Sequence, residues 1–266
     1  MIVLRSPEFK SPPTLPVTVL MPWPVIHRLD ITLPTAAANV ALDEALLVEA
    51  EDQGGPAVVR TWELDHFAVV LGASCRIKEN VEIDACRADR IEIARRSSGG
   101  GTVVIGPGAL NFSVILPIDA APELRGIESA QSFVLGRVRD AIARAGISAE
   151  LLGSADLTLG DRKFSGSSQR RLRRHLLIHA SLLNHFPLER IDRYLKMPPR
   201  RPAYRRDRPH SDFVTNLGLT GPRLIAAIHD AWLPTEQSVI DAKIPESTFR
   251  TLLETKFSGI AWIERL

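Results

Sequence analysis

The feature that most constrains this chain is a run of three glycines, residues 99–101, between the Arg-Arg-Ser-Ser segment 95–98 and the β-branched segment 102–105. Glycine has no Cβ, so such a backbone can approach a ligand where any other residue would collide. A P-loop would carry Lys-Ser or Lys-Thr after the glycines, and a dinucleotide fingerprint would open a helix. Residues 102–106 instead have the pattern of a strand. The run therefore predicts a ligand-contacting loop on a sheet, with a flexible glycine turn as the alternative.

The composition is that of a globular protein of enzyme size. The chain has 266 residues, 45% of them hydrophobic, and a net charge of +2, which is enough to bury one large core or two modest ones. No segment approaches the length of a membrane span. Cys75 and Cys86 favour reduced thiols, since no convincing signal peptide precedes them, and the scattered histidines have no metal-ligand spacing. We therefore expect a cytoplasmic protein with no structural metal site and no membrane contact.

Two segments of unequal length are predicted. Residues 1–24 are proline-rich and form an irregular N-terminal arm, and residues 25–266 form a single α+β catalytic domain. The short β-like segments and their short connections predict a mixed, mostly antiparallel sheet with flanking helices. These segments are residues 57–62, 67–71, 91–94, 102–105 and 110–116.

Helical periodicity marks the segments that should flank this sheet. A helix from Pro34 presents an apolar stripe and leaves Asp43, Glu44 and Glu49 mostly outside. A second helix covers residues 128–145 and stops at Gly146. Further helices are predicted at 187–195, 222–232 and 246–257, with a proline- and arginine-rich loop at 197–210 between the first two.

A second segment that contains candidate functional side chains is residues 156–169. It has the sequence pattern of a tight hairpin with Gly160-Asp161 as its turn. If Leu159 pairs with Arg162, regular pairing sets Leu157 opposite Phe164 and Asp156 opposite Ser165. Four polar residues then share one face: Asp156, Thr158, Lys163 and Ser165. Leu157, Leu159 and Phe164 form the other, mainly apolar face.

A later strand, residues 176–183, carries His179 and Ser181 on one side and could extend this polar face. A lysine in a water-poor site stabilises negative charge that develops on a transferred acyl or phosphoryl group. The alternatives are a solvated lysine at a hairpin tip and a structural histidine in a strand.

Together these motifs resemble the lipoate-protein ligase family of the biotin/lipoate attachment superfamily. The resemblance covers residues 25 to 220, and its order and spacing match as well as its individual motifs. The matching segments are RRSSGGGTV at 95–103, LNFS at 110–113, DL at 156–157, GDRKFSGS at 160–167, HASLL at 179–183 and VTNL at 214–217.

The resemblance implies an enzyme that joins lipoate or octanoate to ATP as an acyl-adenylate, with Mg²⁺, and passes the acyl group to a carrier-domain lysine. Lys163 would contact the acyl carbonyl and the α-phosphate, and Asp156 would lie by the phosphate or its Mg²⁺. An apolar tunnel would be formed by residues such as Val103, Phe112 and Leu182. The substrate-binding candidates are Arg96, Ser98, Gly99, Gly100, Gly101, Thr102, Val103, Asn111, Phe112, Ser165, Gly166, Ser167, His179 and Ser181.

The implied partner is a lipoyl carrier domain, of the glycine cleavage H protein or 2-oxoacid dehydrogenase E2 type. The chain departs from the family pattern in three places. Ile105 stands where many members have histidine, and Ala180 replaces a glycine after His179. Only about fifty residues follow Leu217. We therefore expect the accessory C-terminal domain of complete ligases to be absent or minimal here, and a separate accessory subunit could take its place.

Two other functions stay open. An octanoyl- or lipoyl-transferase would take the acyl group from a carrier protein without ATP, through a cysteine near the lysine motif, but no cysteine follows Gly146. A non-catalytic nucleic-acid-binding protein is suggested by the arginine-rich segments 170–175 and 200–208. Near-neutral charge and few nearby aromatic residues count against it, and the arginines could instead steer an acidic carrier domain and ATP.

Overall fold

The computed structural model describes residues 25–233 and 240–266, so the predicted N-terminal arm at 1–24 lies outside the described residues. The strands are β1 (Ile26–Asp30), β2 (Ala57–Trp62), β3 (Ala68–Leu71), β4 (Glu92–Arg95), β5 (Val103–Ile105), β6 (Ala109–Pro117), β7 (Glu150–Leu152), β8 (Asp156–Leu159), β9 (Arg162–Arg171), β10 (His175–Leu183) and β11 (Ile240–Asp241). The α-helices are α1 (Ala36–Gln53), α2 (Ile77–Asn80), α3 (Ile83–Ala88), α4 (Ile127–Arg144), α5 (Glu189–Tyr194), α6 (His210–Phe213), α7 (Gly221–Trp232), α8 (Glu246–Leu252) and α9 (Ile260–Ile263).

The strands form two separate sheets. The main sheet has the order β11-β1-β2-β6-β10-β9-β8-β7, with parallel pairing only along β11-β1-β2. The small sheet has the order β4-β3-β5, with β3 parallel to β4 and antiparallel to β5. The predicted mixed, mostly antiparallel sheet is confirmed. The division into two sheets was not predicted, because β-type patterns do not reveal which strands pair.

Alternation along the central strand β6 separates the two faces of the main sheet. Phe112 and Val114 belong to the largest hydrophobic cluster, which includes residues of α4 and α7. Ile115 instead joins a cluster with Leu42 and Leu46 of α1. The main sheet is therefore covered by α4 and α7 on one face, and by α1 on the face toward which the polar residues of β6 project.

Helix α1 is correctly predicted in position but not in exposure. Thr35 caps its first turn, since the Thr35 hydroxyl accepts from the Ala38 N–H, and Gly54 ends the helix in a left-handed conformation. Asp43 and Glu44 were expected mostly outside, yet they are only 1% and 5% exposed. The expectation was wrong because α1 is covered on several sides: it contacts the main sheet, the small sheet and the C-terminal helical segment.

The predicted helices at 128–145, 187–195 and 222–232 are confirmed as α4, α5 and α7 within a few residues. The predicted helix at 246–257 is α8 followed by a π-helical turn, Leu253–Phe257. The predicted loop 197–210 contains a short 3-10 turn, Ala203–Arg205. None of the helices in residues 25–233 and 240–266 combines the length and apolar character that crossing a bilayer requires.

Candidate active site

The lysine hairpin is formed by β8 and β9, and its predicted turn is confirmed. Leu159 pairs with Arg162, and Gly160 adopts φ of 58° in the turn. The next predicted pair, Thr158 with Lys163, is also present, but the register beyond that pair is wrong by one residue, because a β-bulge shifts the pairing between Leu157 and Thr158. Asp156 consequently pairs with Gly166, and Ser165 stands opposite the core residue Leu157. The bulge thus removes Ser165 from the polar face on which regular pairing had placed it.

The bulge also sets the position of the lysine. The Lys163 ammonium lies over Gly166, where an added Cβ would come within 2.6 Å of Nζ. Lys163 Nζ forms an ion pair with Asp156 Oδ1 at 2.7 Å, and the Tyr204 hydroxyl donates to Asp156 Oδ2 at 2.6 Å. Burial, the hydrogen bond to Asp156 and its charge raise the pKa of Tyr204, so the phenol stays protonated and remains a donor. Asp156 therefore holds Lys163 in place.

These contacts of Asp156 bear on its predicted place by the phosphate or its Mg²⁺. Both of its carboxylate oxygens are engaged, one by the Lys163 ammonium and one by the Tyr204 hydroxyl. Each of these oxygens keeps a second lone pair, so the placement of Asp156 by the phosphate or its Mg²⁺ stays a prediction, and the Lys163 ammonium already offsets the charge of this carboxylate. Within residues 25–233 and 240–266, no group of three or more histidine, cysteine, aspartate or glutamate side chains is placed to hold a metal ion.

The glycine loop leads from β4 into β5, and no helix begins there, as the sequence predicted. Gly100 needs to be glycine because its φ is +78° and an added Cβ would lie 3.0 Å from the Arg96 guanidinium. Cβ atoms at Gly99 and Gly101 would meet nothing within 4 Å. The tightest approach involves Gly72, whose added Cβ would lie 2.1 Å from the Gly100 carbonyl oxygen. The loop therefore packs against the end of β3 and leaves open space beside two of its glycines.

The two arginines that precede the loop hold backbone carbonyls. Arg96 Nη2 donates to the carbonyls of Gly99 and Gly101, at 2.7 Å each. Burial lowers the pKa of Arg96 to about 10, so it stays charged at neutral pH. Arg95 donates to the carbonyls of Cys75 and Ile263, which ties the loop to the C-terminal helix α9. Arg96 was predicted to bind substrate, and its contacts show that it shapes the loop from within.

His179 lies beside the loop and contacts two serine hydroxyls. Its Nε2 is 2.6 Å from Ser98 Oγ and 3.1 Å from Ser168 Oγ, and these two hydroxyls are 2.7 Å apart. Arg96 Nε donates to Ser98 Oγ at 3.0 Å. The sequence identified Ser98 and His179 but missed Ser168, which stands opposite His179 in the pairing of β9 with β10.

Asp43 contacts the other nitrogen of the histidine ring. Its Oδ2 is 3.1 Å from His179 Nδ1 and accepts from the Ser113 hydroxyl at 2.7 Å, while its Oδ1 pairs with Arg60 at 2.6 Å. Arg60, Ser113 and His179 occupy one row across β2, β6 and β10. Burial by itself would raise the pKa of Asp43, but the Arg60 charge and the hydrogen bonds from His179 and Ser113 outweigh it and lower that pKa.

Replacing Asp43 by asparagine tests this ion pair as a function of pH. Because the folded-state pKa of Asp43 is lowered, its ionisation stabilises the fold above the unfolded-state pKa, and this contribution disappears as pH falls through the folded-state value. We expect the variant to lose about 3–5 kcal/mol at pH 7, because Arg60 is left as an uncompensated buried charge. The difference from the wild type in urea unfolding should shrink toward acidic pH. A difference that is equal at pH 7 and pH 3 would contradict the assignment.

A cavity of about 380 Å³ joins these parts. Its wall brings together the glycine loop and the lysine hairpin, which are about sixty residues apart in the sequence. The size is that of a pocket for a small molecule. One region is apolar and is lined by Val40, Trp62, Val70, Val103, Val104 and Ile105. Another is basic and is lined by Lys196, Arg200, Arg205 and His210.

Other predicted residues are distributed unevenly around this cavity. Asn111 and Ser181 line it and are joined, since the Ser181 hydroxyl donates to Asn111 Oδ1 at 2.6 Å. Phe112 is part of the cavity wall and also belongs to the cluster on the α4 side, whereas Leu182 belongs to that cluster and does not line the cavity. The Ser167 hydroxyl is engaged by the Ala155 carbonyl and by Gln131 of α4. Thr102 lines the cavity, and its buried hydroxyl has no hydrogen-bond partner among residues 25–233 and 240–266.

The arginine-rich segments are largely engaged in contacts within the protein. Arg171 donates to the carbonyls of Leu124 and Arg125, and Arg174 pairs with Glu51. Arg208 pairs with Asp161 at the hairpin turn. These arginines hold loops together, which weakens the case for a surface that binds nucleic acid.

The geometry is that of an enzyme, since a lysine and a partly buried histidine line one cavity that has an apolar region. The chain belongs to the lipoyl protein ligase A/B catalytic domain family, whose model matches residues 35–227. The resemblance seen in the motifs is thereby confirmed.

Similar proteins carry two kinds of name. Lipoate-protein ligase A of Psychrobacter cryohalolentis is 32% identical over 131 residues, 49% of this chain and 36% of the relative. An octanoyl-[GcvH]:protein N-octanoyltransferase of Geobacillus kaustophilus is 34% identical over 159 residues, 57% of this chain and 56% of the relative. The matches thus extend over roughly half or less of the first curated relatives' length.

Two solved structures share the fold. The bi-partite lipoate protein ligase of Thermoplasma acidophilum, described together with its E2 lipoyl domain, has a TM-score of 0.76 at 24% identity and covers 92% of this chain and 97% of that chain. A lipoate-protein ligase A bound with ATP has a TM-score of 0.73 at 23% identity, covering 92% of this chain and 100% of that chain. The predicted fold class is confirmed.

Proposed function

We propose that this protein activates lipoate or octanoate with ATP and transfers the acyl group to a lysine of a lipoyl carrier domain. The observation that carries the proposal is the convergence of the Lys163 hairpin and the glycine loop on one cavity that has an apolar region and a basic region. The apolar region suits a medium-length acyl chain. The basic region suits the phosphates of a nucleotide, because guanidinium and ammonium groups stabilise phosphate charge.

In the first step, a carboxylate oxygen of the fatty acid attacks the α-phosphate of ATP, and the bond to pyrophosphate breaks. Negative charge builds up on the phosphoryl oxygens, and Lys163 lies in the cavity wall where it can stabilise that charge. Asp156 and Tyr204 hold the ammonium in a fixed place, so little reorganisation is needed during the reaction. Magnesium would accompany ATP through its phosphates and water, with Asp156 beside the phosphate or the metal.

In the second step, the amine of the carrier lysine attacks the acyl carbonyl, and AMP leaves. The carrier is proposed to be of the E2 lipoyl domain or glycine cleavage H protein type, since a structural neighbour is described with its E2 lipoyl domain and a relative is named for GcvH. A cytoplasmic site of action and a single catalytic domain at 25–266 are parts of the same proposal.

The experiment that tests the reaction class compares two acyl donors. The protein is incubated with an apo lipoyl domain and either lipoate, ATP and Mg²⁺ or an octanoylated carrier protein without ATP. We expect the mass of the lipoyl domain to rise by one lipoyl group only in the first mixture. Modification only in the second mixture would replace the ligase proposal with the transferase alternative. The octanoyltransferase name of one relative supports that alternative.

Both cysteines are expected to be dispensable for acyl transfer. Neither Cys75 nor Cys86 lines the cavity, and the Cys75 thiol donates to the Gly100 carbonyl, with Sγ 3.3 Å from the oxygen. Burial, with Asp89 and Glu82 adding to it, raises the pKa of Cys86 to about 11, so its reactive thiolate is scarce at neutral pH. Cys75→Ser and Cys86→Ser should keep wild-type transfer rates. Loss of transfer together with an acyl adduct on either thiol would favour the transferase.

A further inference from the structure

A buried chain of hydrogen bonds runs from Arg60 through Asp43 and His179 to the cavity wall, and its direction can be worked out. The Asp43 pKa is lowered, so at neutral pH this carboxylate is ionised and only accepts hydrogen bonds. The Nδ1 atom of His179, 3.1 Å from Asp43 Oδ2, must then carry the proton. In a neutral imidazole this leaves one lone pair, on Nε2.

The two serine hydroxyls continue the chain in the same direction. Ser98 Oγ lies 2.6 Å from His179 Nε2 and donates its hydroxyl proton to the lone pair of that nitrogen. Ser168 then donates to Ser98 Oγ, 2.7 Å away. Arg96 Nε also donates to Ser98 Oγ, which fills the acceptor sites of Ser98. Both hydroxyl protons are therefore directed toward the histidine, and Ser168 Oγ, which also accepts from Arg96 Nε at 3.3 Å, retains one lone pair for another donor.

The accessible end of this chain is Ser168. Ser168 and His179 line the cavity, whereas Ser98 is 1% exposed and does not line it. Ser168 also lies two residues along β9 from Gly166, over which the Lys163 ammonium rests. Residues two apart on a strand project from the same face about 7 Å from each other. The free lone pair of Ser168 is thus beside the position proposed for the acyl carbonyl.

We propose that His179 is the proton acceptor for the attacking lysine amine of the carrier, reached through the hydroxyls of Ser168 and Ser98, and that Asp43 is a positioning residue that fixes the histidine tautomer. This inference rests on the proposed function, because it concerns the step in which an activated acyl group is passed to an amine. It gives a role to Asp43 and Ser168, which no motif had indicated.

The carrier lysine reacts as a neutral amine, its ammonium proton having passed to solvent. The amine nitrogen forms a bond to the acyl carbon, and the bond from that carbon to the adenylate oxygen breaks, so AMP leaves with the electron pair. One proton of the amine passes to Ser168 Oγ, the Ser168 proton passes to Ser98, and the Ser98 proton passes to His179 Nε2. The imidazolium that results lies against the Asp43 carboxylate, whose charge stabilises it.

Other charged groups surround this histidine. Asp43 contacts its Nδ1, and the guanidinium groups of Arg60 and Arg96 lie one contact further away, through Asp43 and Ser98. The titratable and charged groups on the elements packed around His179 are Asp43 and Glu44 on α1, Arg60 on β2, Arg96 before the loop, Asp156 on β8, Lys163 and Arg170 on β9, and Lys256 after α8.

The test separates acceptors that need a base from those that do not. Hydroxylamine is small and can be supplied in large excess, so it traps an activated acyl group as a hydroxamate with water as the proton acceptor, whereas the bound carrier lysine depends on a base in the cavity. With lipoate, ATP and Mg²⁺, His179→Asn and Ser168→Ala are expected to form hydroxamate at near wild-type rates and to lose 10²-fold or more in transfer to the lipoyl domain. His66→Asn changes a half-exposed histidine outside the cavity lining and should leave both rates unchanged.

The pH dependence of the transfer rate distinguishes a proton-accepting His179 from a His179 that only supports the structure, because only the former shapes the pH profile. As the pH is lowered, the wild-type transfer rate should fall more steeply than titration of the acceptor lysine alone requires, and His179→Asn should lack this additional acidic limb. Folded Ser168→Ala or His179→Asn protein that transfers at the wild-type rate with an unchanged profile would overturn the proposal. No hydroxamate from the wild type, by contrast, would refute the proposed activation of the acid itself.

Discussion

Lys163→Ala is expected to lower the rates of acyl activation and transfer by at least about 10²–10³-fold, the usual effect of removing a fixed donor from a developing anion. Its effect on stability should be small, because the Lys163 side chain is 28% exposed and partly exposed ion pairs contribute roughly 0–1 kcal/mol. Asp156 also keeps its hydrogen bond from Tyr204 after the change. The measurements are the hydroxamate assay and thermal unfolding.

The matched control for this prediction is Lys243→Ala. Lys243 is exposed and does not line the cavity, so its loss should leave activation and melting temperature unchanged. A Lys163→Ala protein that melts like the wild type and still activates lipoate would remove the lysine from the mechanism. A large drop in melting temperature would instead show that the ion pair with Asp156 is mainly structural.

Gly72→Ala is expected to disrupt the glycine loop from outside it. The added Cβ would lie 2.1 Å from the Gly100 carbonyl oxygen and 3.1 Å from that of Gly99, and both are backbone atoms that cannot turn away as a side chain could. The loop is also held from within by Arg96, so it cannot shift without losing these hydrogen bonds. We expect a destabilisation of about 1–3 kcal/mol or more, measured by urea unfolding, together with loss of lipoate binding.

Gly99→Ala is the matched comparison for stability. Its added Cβ would meet nothing within 4 Å, and its φ lies outside the left-handed region, so unfolding should be nearly unchanged although the residue belongs to the glycine run itself. Equal stability of Gly72→Ala and the wild type would mean that the loop does not pack against the end of β3 as described.

This pair of glycines also shows what the sequence could and could not reveal. The glycine run predicted a loop whose backbone approaches another group. The open space beside Gly99 and Gly101 is consistent with that prediction. Gly72, a single glycine after β3, carries no local signal, because its need for glycine arises from a carbonyl 28 positions later in the chain. Close contacts between distant segments depend on sheet pairing, which local patterns do not encode.

The lysine hairpin illustrates a second limit. Its turn and the pairing of Leu159 with Arg162 follow from local chemistry and were predicted correctly. The bulge does not follow from a two-residue period, and it exchanged the partners of Asp156 and Ser165. Predicting polar and apolar faces from the turn outward is therefore valid only as far as the first irregularity.

The polar network around His179 was the least predictable part of the site. Asp43 was assigned to the solvent side of α1, since a charged residue in an amphipathic helix usually lies there. A second layer of structure covers that side, and Arg60 of β2 provides the opposite charge. The one available signal was an Asp-Glu pair within an otherwise apolar helical segment, and its meaning depended on an arginine in a different strand.

The central claim is that one cavity between the lysine hairpin and the glycine loop holds an activated fatty acid. The most direct test is a crystal structure with a non-hydrolysable lipoyl-adenylate analogue. We expect the acyl chain beside Val70 and Val103, the carbonyl region within hydrogen-bond distance of Lys163 Nζ, and the nucleotide toward Arg200 and Arg205. An analogue bound elsewhere, or a carbonyl region far from Lys163, would contradict the account.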